Sequence, residues 1–118
     1  MPGRFELQKS KNGKFNFVLK AANDEVILKS EQYESKASAE HGIASVRANC
    51  GKDALYERKI ASDGRFYFNL KAANHQIVGT SQMYASADTR DAGIASVKAN
   101  GTTEAVKDET LEKKRATV

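Results

Sequence analysis

Few residues in this chain have the type and spacing that chemistry requires. The single thiol, Cys50, falls at the predicted end of a helix, where the helix dipole disfavours a thiolate, and reads as an inert, partly buried sulfur. His41 and His75 occupy unrelated places, with no HExxH or Cys/His spacing around either. They read as ordinary solvated or core imidazoles rather than metal ligands. Ser45 and Ser96 recur at equivalent positions, yet no histidine recurs with them, as a duplicated nucleophile would need. Carboxylates are scattered; Glu6 and Glu57 recur, and Glu6 reads as an exposed strand charge rather than half of an acid–base pair. Gly13 and Gly64 suit turns, and nothing resembles a phosphate-binding GxxxxGK[ST] loop. No catalytic residue, metal or cofactor is expected, so the chain is read as no enzyme.

Two surfaces for binding remain. Lys20 and Lys71 recur and are predicted to share one sheet face with Val18, Ile27, Tyr67 and Val78. The four apolar residues suggest a modest patch for a protein partner, which makes a small binding or structural module the first expectation. The lysines beside Tyr67 suggest nucleic-acid binding as the alternative, although stacking platforms usually present several aromatics. The formal charge of +4 gives that alternative little support. Residues 111–118 carry three basic groups and one acidic, so half of the excess lies in what reads as a charged, flexible tail. DNA-binding domains normally concentrate a larger charge.

The class follows from the remaining composition. With 40% hydrophobic and 29% charged residues, the chain suits a globular domain rather than a disordered one. One cysteine cannot form an internal disulfide, and no apolar run approaches the roughly 20 residues that span a bilayer. No membrane association is expected. Met1-Pro2-Gly3-Arg4-Phe5 has no signal-peptide core, so the expected location is cytoplasmic.

The elements that would hold these residues come in two copies. At an offset of 51 positions, residues 13–23 lie over 64–74 with eight of eleven identical, and 42–49 over 93–100 with seven of eight. A unit of about 50 residues is small for a core of its own, so the two should share one. Residues 1–110 are therefore read as a single domain of two repeats, about 3–53 and 54–104. A monomer with internal pseudo-two-fold symmetry is expected.

Residues 4–10 and 14–21 alternate as half-buried strands do. A two-residue loop between them would mix core and solvent positions. A three-residue loop with Gly13 left-handed instead pairs Phe5 with Leu19 and Leu7 with Phe17. Gly64 then does the same, pairing Tyr56 with Leu70, Arg58 with Phe68 and Ile60 with Phe66. A two-residue turn at Asn23-Asp24 is expected to return a third strand over 25–31, pairing Leu19 with Leu28 and Ala21 with Val26, with Asn23 and Asn74 taking positive φ. Helices follow, capped by Ser35 and Ser86, with Asn49-Cys50-Gly51 and Asn100-Gly101 expected to end them in the left-handed region. Gly42 and Gly93 inside the helices cost about 1 kcal/mol against Ala, which close packing would justify. A strand near 53–61 joins the copies, and a short strand is possible at 103–107.

These residues also resemble a known family. Gly-x-Phe-x-Phe-x-Leu-Lys-Ala-Ala-Asn, then Val26-Ile27-Leu28-Lys29-Ser30-Glu31, Tyr33, and Gly-Ile-Ala-Ser-Val with Asn49, are similar to the YegP-like family of small uncharacterised bacterial proteins. The resemblance covers residues 3–106. It implies tandem β(3)-α-β units that exchange their last strands and form one antiparallel sheet with both helices on one face. It brings no established activity or ligand. Asp24 and His75 depart from the pattern where a turn glycine is common, and Gly79-Thr80 replaces Leu28-Lys29. The fold expected is thus α+β, with a core of Phe5, Phe15, Phe17, Leu19, Ile43, Val46, Phe66, Phe68, Leu70, Ile94 and Val97.

Overall fold

The computed structural model describes residues 3–110. The flexible tail expected at 111–118 lies outside them. Strands β1 (Arg4–Lys9), β2 (Phe15–Lys20) and β3 (Val26–Ser30) precede helix α1 (Lys36–Asn49). A 3-10 turn (Asp53–Leu55) leads into β4 (Tyr56–Ile60), β5 (Phe66–Lys71), β6 (Ile77–Thr80), helix α2 (Ala87–Asn100) and β7 (Val106–Asp108). One seven-stranded sheet results, ordered β4-β5-β6-β3-β2-β1-β7.

Hairpin registers follow from glycine placement. Gly13 (φ 84) and Gly64 (φ 87) take the left-handed turn position that side chains resist. Phe5 accordingly faces Leu19 and Leu7 faces Phe17, while Tyr56 faces Leu70 and Ile60 faces Phe66. The second turn of each repeat is of the same three-residue kind, which corrects the two-residue expectation. The amides of Asp24 and His75 donate back to the carbonyls of Ala21 and Ala72, and these two residues (φ 70 and 69), not Asn23 and Asn74, are left-handed. The asparagine side chains instead accept from the amides of Glu25 and Gln76, each at 3.1 Å. The longer turn forces a bulge. Leu19 faces Leu28 as expected, but Lys20 rather than Ala21 faces Val26, leaving Ile27 as the extra residue. Val78 is the extra residue of the second repeat, between Leu70↔Gly79 and Lys71↔Ile77. A bulged residue leaves the strict alternation.

The two repeats meet at β3 and β6, where Lys29 stands opposite Thr80. These residues are 51 apart and so equivalent, which puts a pseudo-two-fold axis through their pair. The expectation of a wholly antiparallel sheet fails at one edge, because β7 runs parallel to β1. By the two-fold, the strand after α2 should lie beside β2, as β4, after α1, lies beside β5. The N-terminal strand β1 already fills that seat, so β7 adds outside it in the same direction.

Both helices cover one face. Ile43 and Val46 of α1, and Ile94 and Val97 of α2, share a core with Phe5, Phe17, Leu19, Leu28, Phe68 and Leu70. Phe15 and Phe66 are half-buried at the rim rather than fully inside. Ser35 and Ser86 cap the helices by accepting from the amides of Ser38 and Thr89, each at 3.1 Å. The helix ends correct another expectation, since Cys50 (φ −62) and Gly101 (φ −69) remain right-handed. Asn49 and Asn100 hold the last turns by donating to the carbonyls of Ser45 and Ser96 at 2.8 Å.

Candidate binding surface

The face without helices carries outward positions of all seven strands. Alternation from the observed registers puts Arg4, Glu6, Val18, Lys20, Lys29, Glu57, Lys59, Tyr67, Asn69, Lys71, Thr80 and Lys107 there. Ile27 and Val78 were expected among them and are not. Each is the bulged residue of its repeat, and the bulge turns both into the core, where they are 3% and 7% exposed. The apolar patch expected from Val18, Ile27, Tyr67 and Val78 is therefore absent. Val18 is buried between Glu6 and Lys29 in register, and Tyr67 stands half-buried opposite Lys59.

Lys20 and Lys71 lie on this face but are spoken for. Lys20 Nζ lies 3.2 Å from Glu6 Oε1, and Lys71 Nζ lies 3.3 Å from Glu57 Oε2. Glu6 is 3% exposed, not the surface charge expected, and Arg4 meets it at 2.8 Å. Burial pushes the Glu6 carboxyl up, but its hydrogen bonds from Lys20 and Arg4 outweigh that and hold it below the usual carboxylate range. Hydrogen bonds from Asn69 and Lys71 lower Glu57 in the same direction. Asn69 links the second pair to the axis, donating to Glu57 Oε1 at 3.1 Å and accepting from the Thr80 hydroxyl at 2.8 Å. Lys29 and Lys59 differ: both are exposed, and neither meets a carboxylate within 4.0 Å among the described residues. Lys29 sits on the pseudo-two-fold axis, at the centre of the face.

The other candidates are fixed in structural roles or scattered. Cys50 is fully buried rather than partly so, and that burial pushes its thiol pKa up. Ser45 and Ser96 accept from the asparagines that end their helices, each at 3.2 Å. Among the described residues no three His, Cys, Asp or Glu side chains form a group able to hold a metal ion. Nor is any described helix long and apolar enough to cross a membrane. His41 and His75, remote in sequence, do come together on one cleft between α1 and the β5–β6 turn. That cleft lies between α1 of one repeat and the hairpin of the other, and no spacing within the sequence signals it.

The fold defines a class: two β-β-β-α units joined about a pseudo-two-fold axis into one sheet. The family described as "Domain of unknown function (DUF1508)" matches residues 10–57 and 61–108, and the chain belongs to it. Each matched unit runs from its second strand to the strand after its helix. The chain is 66% identical over 110 residues to UPF0339 protein YegP of Escherichia coli (strain K12), covering 93% of this chain and 100% of that one. It is 60% identical over 108 residues to a UPF0339 protein of Acinetobacter baylyi, covering 92% and 97%. The solution NMR structure of the E. coli protein of unknown function yegP superposes with a TM-score of 0.88 at 65% identity, covering 92% and 94% of the two chains. A UPF0339 protein of Shewanella oneidensis gives 0.87 at 56%, covering 92% of each.

Proposed function

We propose that the chain is a non-enzymatic binding module that receives an acidic protein surface on the helix-free face of its sheet. The observation that carries this reading is Lys29, an exposed cation on the axis without a carboxylate partner among the described residues, while the recurring lysines around it are neutralised. Lys59 extends the charge toward β4, and outward cations exceed outward carboxylates across the strands. Such a face attracts anions and repels a second basic surface. The setting proposed is the cytoplasm, since a lone free thiol suits a reducing compartment.

Immobilised protein should retain an acidic partner that raised salt releases, and K29E/K59E should not. Equal capture by the variant removes the reading. Tyr67 opposite Lys59 favours a second reading, in which the anion is a nucleic acid stacked on that ring. Gel shifts with short single- and double-stranded oligonucleotides at two salt concentrations separate the two.

A further inference from the structure

We propose that the outer edge of β4 receives an extended acidic segment of a partner protein, added as an eighth strand parallel to β4. β4 ends the sheet, with no described strand beyond it. Phe68 exchanges hydrogen bonds with Ser81, and Phe66 exchanges them with Tyr84, so both turn their amides and carbonyls away from β4. Arg58 and Ile60 stand opposite those two residues and therefore point their own amides and carbonyls outward. No described residue partners these groups. The Tyr56 amide already donates to the Asp53 carbonyl, so the open seat runs from the Tyr56 carbonyl to Ile60.

The first repeat shows what such an edge holds. β1 is the counterpart of β4, and β7 lies along its outer edge in parallel, with Glu6 opposite Lys107 and Leu7 opposite Asp108. Moved by 51 positions, that register sets a basic residue opposite Glu57 and an acidic one opposite Arg58. Continued by one residue, it sets the acidic counterpart of Glu109 opposite Lys59. Leu7 and Gln8 of the occupied edge are Arg58 and Lys59 on the open one, so the two seats differ by two positive charges.

Those charges decide the partner. On the helix side Asp53 and Asp91 meet Arg58 at 3.3 and 3.5 Å, but they also meet Lys98 and Arg90, leaving that network one cation in excess. On the open side Lys71 balances Glu57, and Lys59 meets no carboxylate among the described residues. Arg58 and Lys59 thus keep basic strands off the edge and admit acidic ones. β4 has neither a proline nor a break in its register to blunt the edge otherwise. Ile60, 64% exposed, gains cover from an added strand. A second copy pairing its own β4 about a two-fold axis is disfavoured, because Glu57, Arg58 or Lys59 would then stand against itself. The edge shares only Lys59 with the cationic face, and neither reading depends on the other.

The test titrates the end-blocked peptide Ala-Val-Lys-Asp-Glu-Thr, the sequence of residues 105–110, into the isotope-labelled full chain and follows it by NMR. Saturable shifts below roughly 10 mM are expected at the Arg58 and Ile60 amides. The Phe5 amide donates to the Ala105 carbonyl, so alternate residues of the added strand, the peptide's Lys and Glu, face β4. N-methylation of its Glu should weaken binding about tenfold or more, and N-methylation of its Asp should not. Replacing Asp and Glu by Lys should also cost about tenfold. I60P removes an outward amide and no internal hydrogen bond, so it should abolish the shifts and keep the remaining spectrum. The N-methyl series needs no variant and stands even if I60P does not fold. The proposal is overturned by no saturable shift, by shifts confined to Phe5 and Leu7, or by equal binding of the N-methyl-Glu peptide. It is also overturned by β4 shifts that grow with protein concentration alone, which give the edge to a second copy.

Discussion

Leu28 and Gly79 hold the same position in the two repeats, and they touch. A Cβ built on Gly79 would lie 2.7 Å from Leu28 Cγ, so the leucine fills space its counterpart vacates. Cys50 and Gly101 repeat the relationship at the helix ends, where a Gly101 Cβ would lie 2.7 Å from the Cys50 sulfur. Two identical large residues would collide at a two-fold axis, and a duplicated chain can make one of them small.

G79L should therefore lower stability by about 1–3 kcal/mol through overpacking, read by urea denaturation. L28G/G79L moves the large residue to the other side of the axis and should recover at least half of that loss. A double variant no more stable than G79L would show that the pair is not exchangeable.

Phe17 is fully buried beneath α1, edge-on to Phe5 and stacked on Tyr33. F17A should cost about 3–5 kcal/mol. An unchanged melting curve would contradict the placement of this strand face.

The buried Glu6 makes stability pH-dependent. Its carboxyl pKa is lower in the folded state than the ordinary glutamate value of 4.5. Its contribution is therefore complete above the unfolded pKa and disappears as pH falls through the folded one. Stability should fall as the solution is acidified below about pH 4.5. E6Q should flatten that acid limb and cost about 1–3 kcal/mol near neutrality, where it removes a buried charged acceptor. An acid limb identical to that of the unmodified protein would refute this account.

His75 is held in a conformation that glycine adopts freely. H75G should raise stability by about 0.5–1 kcal/mol, measured as a higher urea midpoint with unchanged slope. D24G should gain less, since it also loses the ion pair with Arg4.

The repeat, the first-hairpin registers and the serine caps were legible in the sequence because each rests on local chemistry: a glycine at φ near 85°, a strict period of two, a hydroxyl before a helix. Ile27 and Val78 were misplaced because a bulge costs one residue of register and leaves no mark in the alternation. The turn that causes it was hidden by Asp24 and His75 standing where glycine would have announced a left-handed residue. The burial of Glu6 depends on Arg4 and Lys20 converging on it across a strand pair. The His41–His75 cleft depends on one repeat packing over the other, a distance that no spacing encodes. The parallel edge was missed because it follows from a seat already taken by β1, not from anything in residues 106–108.

The displaced seat of β7 orders events in time. Each repeat can form its hairpins from neighbouring segments, and β3–β6 pairing joins the halves across about 50 residues. Docking β7 on β1 closes a loop of about 100 residues, with the Phe5 amide donating to Ala105 at 2.9 Å. Loop-closure entropy grows with that separation, so this edge forms late. This edge can open without parting the two halves, which makes the Phe5 amide an early site of hydrogen exchange among the amides paired between strands.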